Sequence, residues 1–135
     1  MYLNRNSLKS LLMQREPMLM LESIQKLDLN VLIAVPSYDD IWTSDNKVSL
    51  ISIVLEAMGQ AAEILWRLNG LKGKAYLAMI DKVEIDSLNL LPKADVKIRA
   101  QILSSFGNFK KSKIIYEYKE KKILSIETTH FFNPI

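Results

Sequence analysis

The sequence predicts an α+β domain in which one long helix packs against a mostly antiparallel sheet. The stretch from about Ser49 to Asn69 is apolar with helical spacing, whereas the chain after it changes to a twofold alternation of apolar and polar residues. A single long helix has only the sheet against which to bury its apolar surface. The two observations together therefore indicate one sheet wrapped over one helix.

The N-terminal part of the chain predicts a short helix and two strands. Ser7 is a suitable N-cap for a helix that runs through Met13 and ends before Pro17, because the residue ahead of a proline disfavours the helical conformation. Met18 to Asp28 and Asn30 to Pro36 are expected to be extended, with a turn at "DLN" between them. The polar loop "SYDDIWTSDNK" follows.

The long helix, Ser49 to Asn69, is expected to stop at Gly70, since glycine adopts the left-handed conformation that ends many helices. Arg67 lies in its last turn, where a cation interacts favourably with the helix dipole. A strand from Gly73 to Asp86 and a loop from Ser87 to Pro92 come next.

Three further strands are predicted to form a meander. Ala94 to Phe106 alternates cleanly, "GN" at 107–108 is a strong hairpin signal, and Lys122 to Phe132 follows a tight turn in "KEKK". The residues expected on the inner faces of the first two of these strands are Val96, Ile98, Ala100, Ile102 and Phe106, and Ile114, Tyr116 and Tyr118.

Composition excludes several classes of function. The chain has 135 residues, 49% of them hydrophobic, and no repeat or linker, so a single domain spanning residues 1–135 is expected. With no cysteine and one histidine, neither a disulfide framework nor a thiolate or multi-histidine metal site is available, and no cofactor is expected. No secretory signal or membrane span is expected, which predicts a cytoplasmic location. No aromatic platform on a basic strand indicates nucleic-acid binding.

A narrow polar band runs along the apolar helix. At 100° per residue its members lie within roughly 80° of the helix circumference, so the helix is expected to be mostly enclosed. Glu56 stands in the middle of this band, and a buried carboxylate without partners costs several kcal/mol. The members are Ser49, Ser52, Glu56, Gln60, Glu63 and Arg67.

Two interpretations of the band remain open on periodicity alone. In the first, the band is the helix's only solvent-facing strip and Glu56 is an ordinary exposed residue. In the second, the band lines a cleft or a subunit interface, where a desolvated carboxylate acts as a general acid or base.

The helix sequence "LEAMGQAAEI" resembles the central helix of the hot-dog-fold 3-hydroxyacyl-[acyl carrier protein] dehydratases, whose pattern there is Glu-Ala-x-x-Gln-Ala. Glu56, Ala57, Gln60 and Ala61 match it. "LLMQREPMLMLESI" is similar to that family's N-terminal motif of a short helix, a loop, a proline and a strand, and "AYLAMIDKVEI" to the strand after the helix. The N-terminal positions that match are Pro17, Leu19, Leu21 and Glu22.

This resemblance implies a hot-dog fold in which the sheet curls round the helix and two subunits join their sheets. It further implies an acyl chain at the dimer interface and a helix glutamate, here Glu56, that works with a histidine of the other subunit to remove water from a 3-hydroxyacyl thioester. By the same resemblance Gln14, Ile51 and Gln60 become substrate contacts, with Gln14 and Glu56 facing one cleft across the interface.

Two positions depart from the family pattern. Gln14 occupies the place of the catalytic histidine, and an amide has no titratable proton near neutral pH. Leu50-Ile51 replaces a Pro-Gly pair whose glycine N–H polarises the thioester carbonyl; the early helix amide of Ile51 lacks an intrahelical partner, but its side chain allows less close approach.

The only histidine, His130, lies in the last predicted strand on the same face as Leu124, Ile126 and Phe132. Such a residue is expected to be a core histidine with its hydrogen bonds satisfied, and no spacing argument brings it to Glu56.

Three functions remain open. The chain is a dehydratase-like enzyme with Glu56 as acid or base, an acyl thioesterase that uses Glu56 with Gln14, or a non-catalytic subunit that pairs with an active paralogue. All three imply an acyl thioester of acyl carrier protein or coenzyme A as ligand and a homodimer, a higher homo-oligomer or a heterodimer.

The lysine-rich segment "FKKSKIIYEYKEKK" also has two interpretations. Its lysines protect a sheet edge from pairing, or they form a docking patch for an acidic acyl carrier protein.

Overall fold

The computed structural model describes residues 1–14, 18–38, 50–86 and 95–133. Seven strands form one antiparallel sheet in the order β1-β2-β3-β5-β6-β7-β4, and one long helix packs against one of its faces. The elements are β1 Tyr2–Asn4, α1 Arg5–Leu8, β2 Leu21–Lys26, β3 Val31–Pro36, α2 Leu50–Leu68, β4 Lys74–Ile85, β5 Val96–Phe106, β6 Phe109–Tyr118 and β7 Lys121–Asn133. The predicted fold class is confirmed.

Helix α2 is enclosed on almost all sides. Every residue from Ala57 to Trp66 is buried, including the polar Gln60 and Glu63, whereas Ser52 near the start of the helix is exposed. The Trp66 indole donates a hydrogen bond of 2.8 Å to the Ser112 hydroxyl of β6, which fixes the helix against the middle of the sheet. A helix buried all round belongs to the interior of a domain, as the narrow polar band predicted.

The C-terminus of α2 is closed by a Schellman motif. The Gly70 N–H donates to the Arg67 carbonyl at 3.0 Å, and the Leu71 N–H donates to the Trp66 carbonyl at 3.3 Å. Gly70 has a φ of +95°, in the left-handed region where a side chain is strained. The predicted stop at this glycine is confirmed.

The inner face of β5 follows the predicted alternation only as far as Ile102. Val96, Ile98 and Ala100 are buried, but the register with β6 shifts between Ile102 and Ser104. Such a bulge adds one residue to a strand and reverses the side-chain alternation beyond it. The prediction that Phe106 faces the core is therefore wrong, since Phe106 is 84% exposed.

The N-terminal prediction also needs correction. The Asn4 side chain accepts a hydrogen bond from the Ser7 N–H at 3.0 Å, so Asn4 is the N-cap and the helix begins before Ser7. The helix ends at Leu8, and turns rather than helix follow it. The short strand that precedes it was not predicted.

Some predicted features lie outside the described residues. These are Pro17, Ser49, the loop at 87–92 and most of the loop at 37–47.

Both tight hairpin turns match their predictions. Gly107, with a φ of +59°, lies in the two-residue turn between the paired Phe106 and Phe109. Lys119 and Glu120 have φ values of +49° and +66° in the turn that joins β6 to β7. At Lys119 and Glu120, positive φ at both central residues is the backbone of a type I′ turn, whose twist matches that of the flanking strands.

Strand β4 forms one edge of the sheet and pairs only with β7 among the described strands. Much of its apolar surface is uncovered. Its exposed apolar residues are Tyr76 at 51%, Leu77 at 41%, Met79 at 53%, Val83 at 48% and Ile85 at 41%.

Two glycine substitutions are expected to change stability in opposite directions. Gly70→Ala places a Cβ in the left-handed region and should lower the free energy of unfolding by about 1–2 kcal/mol. Gly59→Ala, in the interior of α2, places its Cβ 3.6 Å from Leu77 Cδ2, which is an ordinary van der Waals contact. Because alanine has a higher helix propensity than glycine, this variant should raise the free energy of unfolding by about 0.5–1 kcal/mol. Urea denaturation of both variants tests this, and destabilisation by both would show that Gly59 is needed for close packing.

Candidate functional site

A cavity of about 300 Å³ opens beside the polar band of α2, between that helix, strands β4 and β7 and the segment that precedes β2. Its volume is at the lower end of the range for ligand pockets in proteins. The lining residues are Gln14, Glu56, Gly59, Gln60, Glu63, Ala75, Tyr76, Leu77 and His130. Three members of the band, Glu56, Gln60 and Glu63, therefore border a cavity, whereas Ser52 is exposed.

Gln60 holds the Glu56 carboxylate in place. Its amide nitrogen donates to Glu56 Oε1 at 3.1 Å and to the Met18 carbonyl at 2.7 Å, and its amide oxygen accepts from the Met20 N–H at 2.9 Å. Three protein groups thus occupy the amide of a residue that is only 2% exposed. The substrate contact expected of Gln60 stays a prediction; in the structure its side chain bonds Glu56 and the main chain ahead of β2.

Glu63 and Arg67 form an ion pair at the next turns of the same band. Arg67 Nε lies 2.9 Å from Glu63 Oε2, with both side chains about nine-tenths buried. Burial raises the pKa of Glu63 above its usual value, the bond and charge of Arg67 oppose that rise, and the charge of Glu56 adds to it. The Arg67 guanidinium also lies 5.4 Å from the centre of the Phe132 ring, so it ties the helix to β7.

His130 lines the same cavity as Glu56, which the sequence did not predict. It is 2% exposed, as expected of a core histidine, but its Nδ1 has no hydrogen-bond partner among the described residues. Burial lowers the pKa of His130 to about 4, and the nearby positive charge of Arg67 contributes. The imidazole is therefore neutral near pH 7.

The other two expected substrate contacts have different positions. Gln14 lies in the cavity wall together with Glu56, and both belong to the same chain. Ile51 is partly buried against the hydrophobic core and is not among the lining residues. Gly59, which the sequence did not single out, leaves room in the wall opposite Leu77.

These groups suit proton transfer and hydrogen bonding more than metal chemistry. The cavity brings together two carboxylates, two amides and a neutral imidazole, which are the side chains that general acid–base catalysis uses. Within the part of the chain that the structure describes, no group of His, Asp or Glu residues is arranged to hold a metal ion.

A larger groove of about 740 Å³ lies away from Glu56. Its wall includes the outward-facing side chains of Ile33, Lys97 and Arg99, together with Glu117 and Lys119. The Arg99–Glu117 ion pair, 3.3 Å between Nε and Oε1, crosses it. Size alone would favour this groove, but it lacks the buried carboxylate and imidazole of the smaller cavity.

Among the described helices, none has the length and apolar character needed to cross a membrane.

Comparison with solved structures identifies the fold. The structure is similar to the dehydratase heterocomplex ApeI:P from Xenorhabdus doucetiae, with a TM-score of 0.72, 14% identity and coverage of 93% of this chain and 90% of that one. It is similar to Cj0977, a sigma28-regulated virulence protein from Campylobacter jejuni, with a TM-score of 0.70, 13% identity and coverage of 95% and 97%. An HP0420 homologue from Helicobacter felis matches with a TM-score of 0.66, 12% identity and coverage of 90% and 83%.

At the level of sequence, no family model and no curated protein matches the chain. The structural similarity, at these low identities, concerns the fold. The chain has the hot-dog fold, with one antiparallel sheet round one long helix, and its structural neighbours include a dehydratase heterocomplex.

The buried imidazole predicts a specific pH dependence of stability. Because the pKa of His130 is about 4 in the folded state and near 6.5 in the unfolded state, the unfolded chain binds more protons between these values. The contribution of His130 to the free energy of unfolding should therefore be complete above pH 6.5. It should decrease by about 3 kcal/mol as the pH falls to 4.

Urea denaturation of the wild type and of His130→Phe between pH 7 and pH 4 isolates this contribution as the difference between the two curves. The charged neighbours of His130 on α2 and β6 are Glu56 and Glu63, which border the same cavity, Arg67, and Lys110, which is paired with it in the sheet; all four are present in both proteins. A difference that does not change with pH would show that the ring is protonated as easily in the folded as in the unfolded chain.

Proposed function

We propose that this chain is a 3-hydroxyacyl-[acyl carrier protein] dehydratase-like protein that binds an acyl thioester in the cavity beside Glu56. The observation that carries this proposal is the Glu56 carboxylate, which Gln60 holds at the wall of a cavity on an enclosed helix. A carboxyl group fixed at a cavity wall is suited to accept a hydrogen bond from a ligand hydroxyl in its ionised form, or to protonate that hydroxyl in its acid form.

The match to the Glu-Ala-x-x-Gln-Ala pattern supports the proposal at the level of contacts. The Glu and the Gln of the pattern, Glu56 and Gln60, are four residues apart and are hydrogen-bonded to each other at 3.1 Å. Gln60 also binds the main chain of Met18 and Met20, which lead into β2. In this chain the Glu and the Gln of the pattern are therefore in contact, which supports the resemblance.

A second candidate is a subunit without activity of its own that completes a dehydratase. One of the structural neighbours is a dehydratase heterocomplex, and Gln14 stands where the resemblance places the catalytic histidine. Such a subunit would bind an acyl thioester without converting it, and would pair with a paralogue that supplies the missing imidazole.

We also propose that β4 is the edge through which the chain assembles. Twelve residues long, it exposes a row of apolar side chains at an edge of the sheet, and exposed apolar edges favour pairing with another strand. A second copy or a paralogue of the same fold would extend the sheet across this edge.

The basic hairpin offers limited support for docking of an acidic carrier protein. Lys111 lies 3.3 Å from Glu127 and Lys122 lies 3.2 Å from Glu84, while Lys110 donates to Ser105 Oγ and to the Gly107 carbonyl. The two ion pairs neutralise part of the positive charge locally. A coenzyme A thioester is therefore the simpler first probe.

Incubation of the purified protein with 3-hydroxybutyryl-coenzyme A distinguishes the candidates. Loss of water from the ligand supports the dehydratase, release of free coenzyme A supports a thioesterase, and binding without either reaction supports the partner subunit.

Glu56→Gln should lower any turnover by about 10²–10⁴-fold, because it removes the positioned acid or base. Glu120→Gln, an exposed carboxylate at the larger groove, is the matched control. No binding by the wild type, or equal effects of both variants, would contradict the proposal.

Assembly through β4 is tested by placing charges on the edge. Met79→Lys combined with Val83→Lys should convert a dimer to a monomer, because each new ammonium would have to be desolvated at the interface. Leu29→Lys, at a residue that is 70% exposed between β2 and β3, should leave the mass unchanged. Analytical ultracentrifugation measures the masses. A wild-type monomer at all concentrations, without a paralogue, would exclude self-assembly through this edge.

A further inference from the structure

Four aromatic residues, the aromatic row, lie side by side across one end of the sheet. The cross-strand pairs are Phe106 with Phe109, Phe109 with Phe131, and Phe131 with Tyr76, on β5, β6, β7 and β4. Residues directly opposite each other in an antiparallel pair share one face of the sheet. Phe132, the neighbour of Phe131, is buried on the helix side, so the row lies on the face away from α2.

The aromatic row is largely uncovered. Phe106 is 84% exposed, Tyr76 51% and Phe109 47%, and the rings of Phe109 and Phe131 pack together with their centres 5.2 Å apart. The hairpin that carries Phe106 and Phe109 extends past β3, whose pairing with β5 reaches only to Gln101. Neighbouring apolar side chains exposed in this way mark a surface that contacts a protein or a membrane.

Lysines adjoin the aromatic row, and carboxylates are set back from it. Lys111 and Lys113 on β6 and Lys74 on β4 are separated from the row by an even number of residues along their strands, so they share its face. The acidic residue of β7, Glu127, is four residues from Phe131, which corresponds to about 13 Å. Between Leu103 and Lys113 the chain contains three lysines and no acidic residue.

We propose that this end of the sheet binds the surface of an anionic phospholipid bilayer, an inference that does not depend on the acyl thioester. The aromatic row enters the headgroup region, and Lys74, Lys111 and Lys113 contact lipid phosphates. Binding of this kind combines buried apolar area with attraction to anionic lipids. Lysine stems are long enough to pack along apolar surface while the ammonium groups stay hydrated.

The position of the acidic residue fits this orientation. Glu127 is set back by more than the Debye length of about 8 Å at physiological ionic strength, so its repulsion from the lipid phosphates is largely screened. It also pairs with Lys111 at 3.3 Å, which lowers the net positive charge without placing a carboxylate at the bilayer.

A second copy of the chain at β4 would not cover the aromatic row. Phe106 is on β5, three strands from the β4 edge, which corresponds to about 14 Å. A chain paired with β4 would contact Tyr76 and leave the most exposed ring of the row in water. The row therefore needs an occupant other than the one proposed for the edge.

Other classes of partner fit this surface less well. An acidic protein would satisfy the lysines but not the four aromatic rings, whereas a bilayer offers phosphates and an apolar interior together. Single-stranded nucleic acid stacks its bases on open ring faces. The rings of Phe109 and Phe131 are instead tilted by 57° against each other, which closes part of those faces.

Sedimentation with vesicles measures the binding. The purified protein should sediment with vesicles made of equal parts phosphatidylglycerol and phosphatidylcholine, and much less with phosphatidylcholine alone. Added salt should release it, because ions screen the attraction between the lysines and the lipid phosphates.

Phe106→Ser tests the apolar contribution. It should lower the partition coefficient on the anionic vesicles by roughly tenfold or more, because the largest exposed apolar side chain of the hairpin tip is lost. The protein is expected to fold, since Phe106 is 84% exposed. Val35→Ser is the control, because Val35 is 39% exposed and lies near the other end of the sheet. It should leave the partition coefficient unchanged.

Lys111→Gln combined with Lys113→Gln tests the electrostatic contribution and should lower the partition coefficient by roughly tenfold or more. Lys121→Gln combined with Lys122→Gln removes the same charge at the opposite end of β6 and β7. Each pair contains one lysine that is bonded to a glutamate, Lys111 to Glu127 and Lys122 to Glu84, so the two double variants are matched. The second should bind like the wild type.

Several results would overturn the inference. These are a wild type that sediments with neither vesicle or equally with both, test and control variants that behave alike, and a Phe106→Ser variant that binds as the wild type does. Single-stranded RNA binding that is lost in Phe106→Ser, without vesicle binding, would assign the row to nucleic acid instead. If the lysine variant does not fold, Phe106→Ser and the salt dependence still decide.

Discussion

The hydrogen bonds of the Gln60 side chain connect the parts of this molecule that matter for its site. One buried amide joins helix α2 to the main chain at Met18 and Met20 and, at the same time, holds the Glu56 carboxylate. Because buried main-chain groups must find partners, the segment that leads into β2 cannot shift along the helix without losing two of these bonds. The position of the first strands and the orientation of the carboxylate thus depend on the same residue.

The polar band on α2 is arranged to limit the cost of its own burial. Glu56 has Gln60 and Glu63 has Arg67, so the two carboxylates of the band each have a hydrogen-bonding partner one turn away. Removal of one partner from a buried charged pair is costly, so substitution of either Glu63 or Arg67 alone is expected to destabilise the protein. His130 differs from these residues because the described residues leave its Nδ1 unsatisfied.

Local patterns in the sequence were sufficient for most of the fold. The helix, its stop at Gly70 and the two tight turns each depend on residues close in sequence, whose periodicity or backbone preference is readable directly. The bulge beyond Ile102 was not readable, because a twofold pattern contains no sign of one inserted residue. Asn4 was missed as a cap because Ser7 is an equally good capping residue three positions later.

Part of the site was predictable because it too depends on residues that are close in sequence. Glu56 and Gln60 lie on one helix face, so their proximity follows from spacing. His130 comes to the cavity through the pairing of β7 with β4 and the curvature of the sheet over the helix, which are long-range properties. Spacing along a single strand shows which face a histidine occupies, but not which cavity that face borders.

The edge strand β4 contributes both to the cavity wall and to the uncovered edge of the sheet. Ala75, Tyr76 and Leu77 form part of the cavity wall, and the same strand carries the uncovered apolar row. If a second chain pairs with this edge, ligand occupancy and subunit association are thermodynamically linked, and each must change the equilibrium constant of the other by the same factor. The affinity of the protein for its ligand would then depend on protein concentration, and a paralogue in the same cell would act as an effector of the site as well as a structural partner.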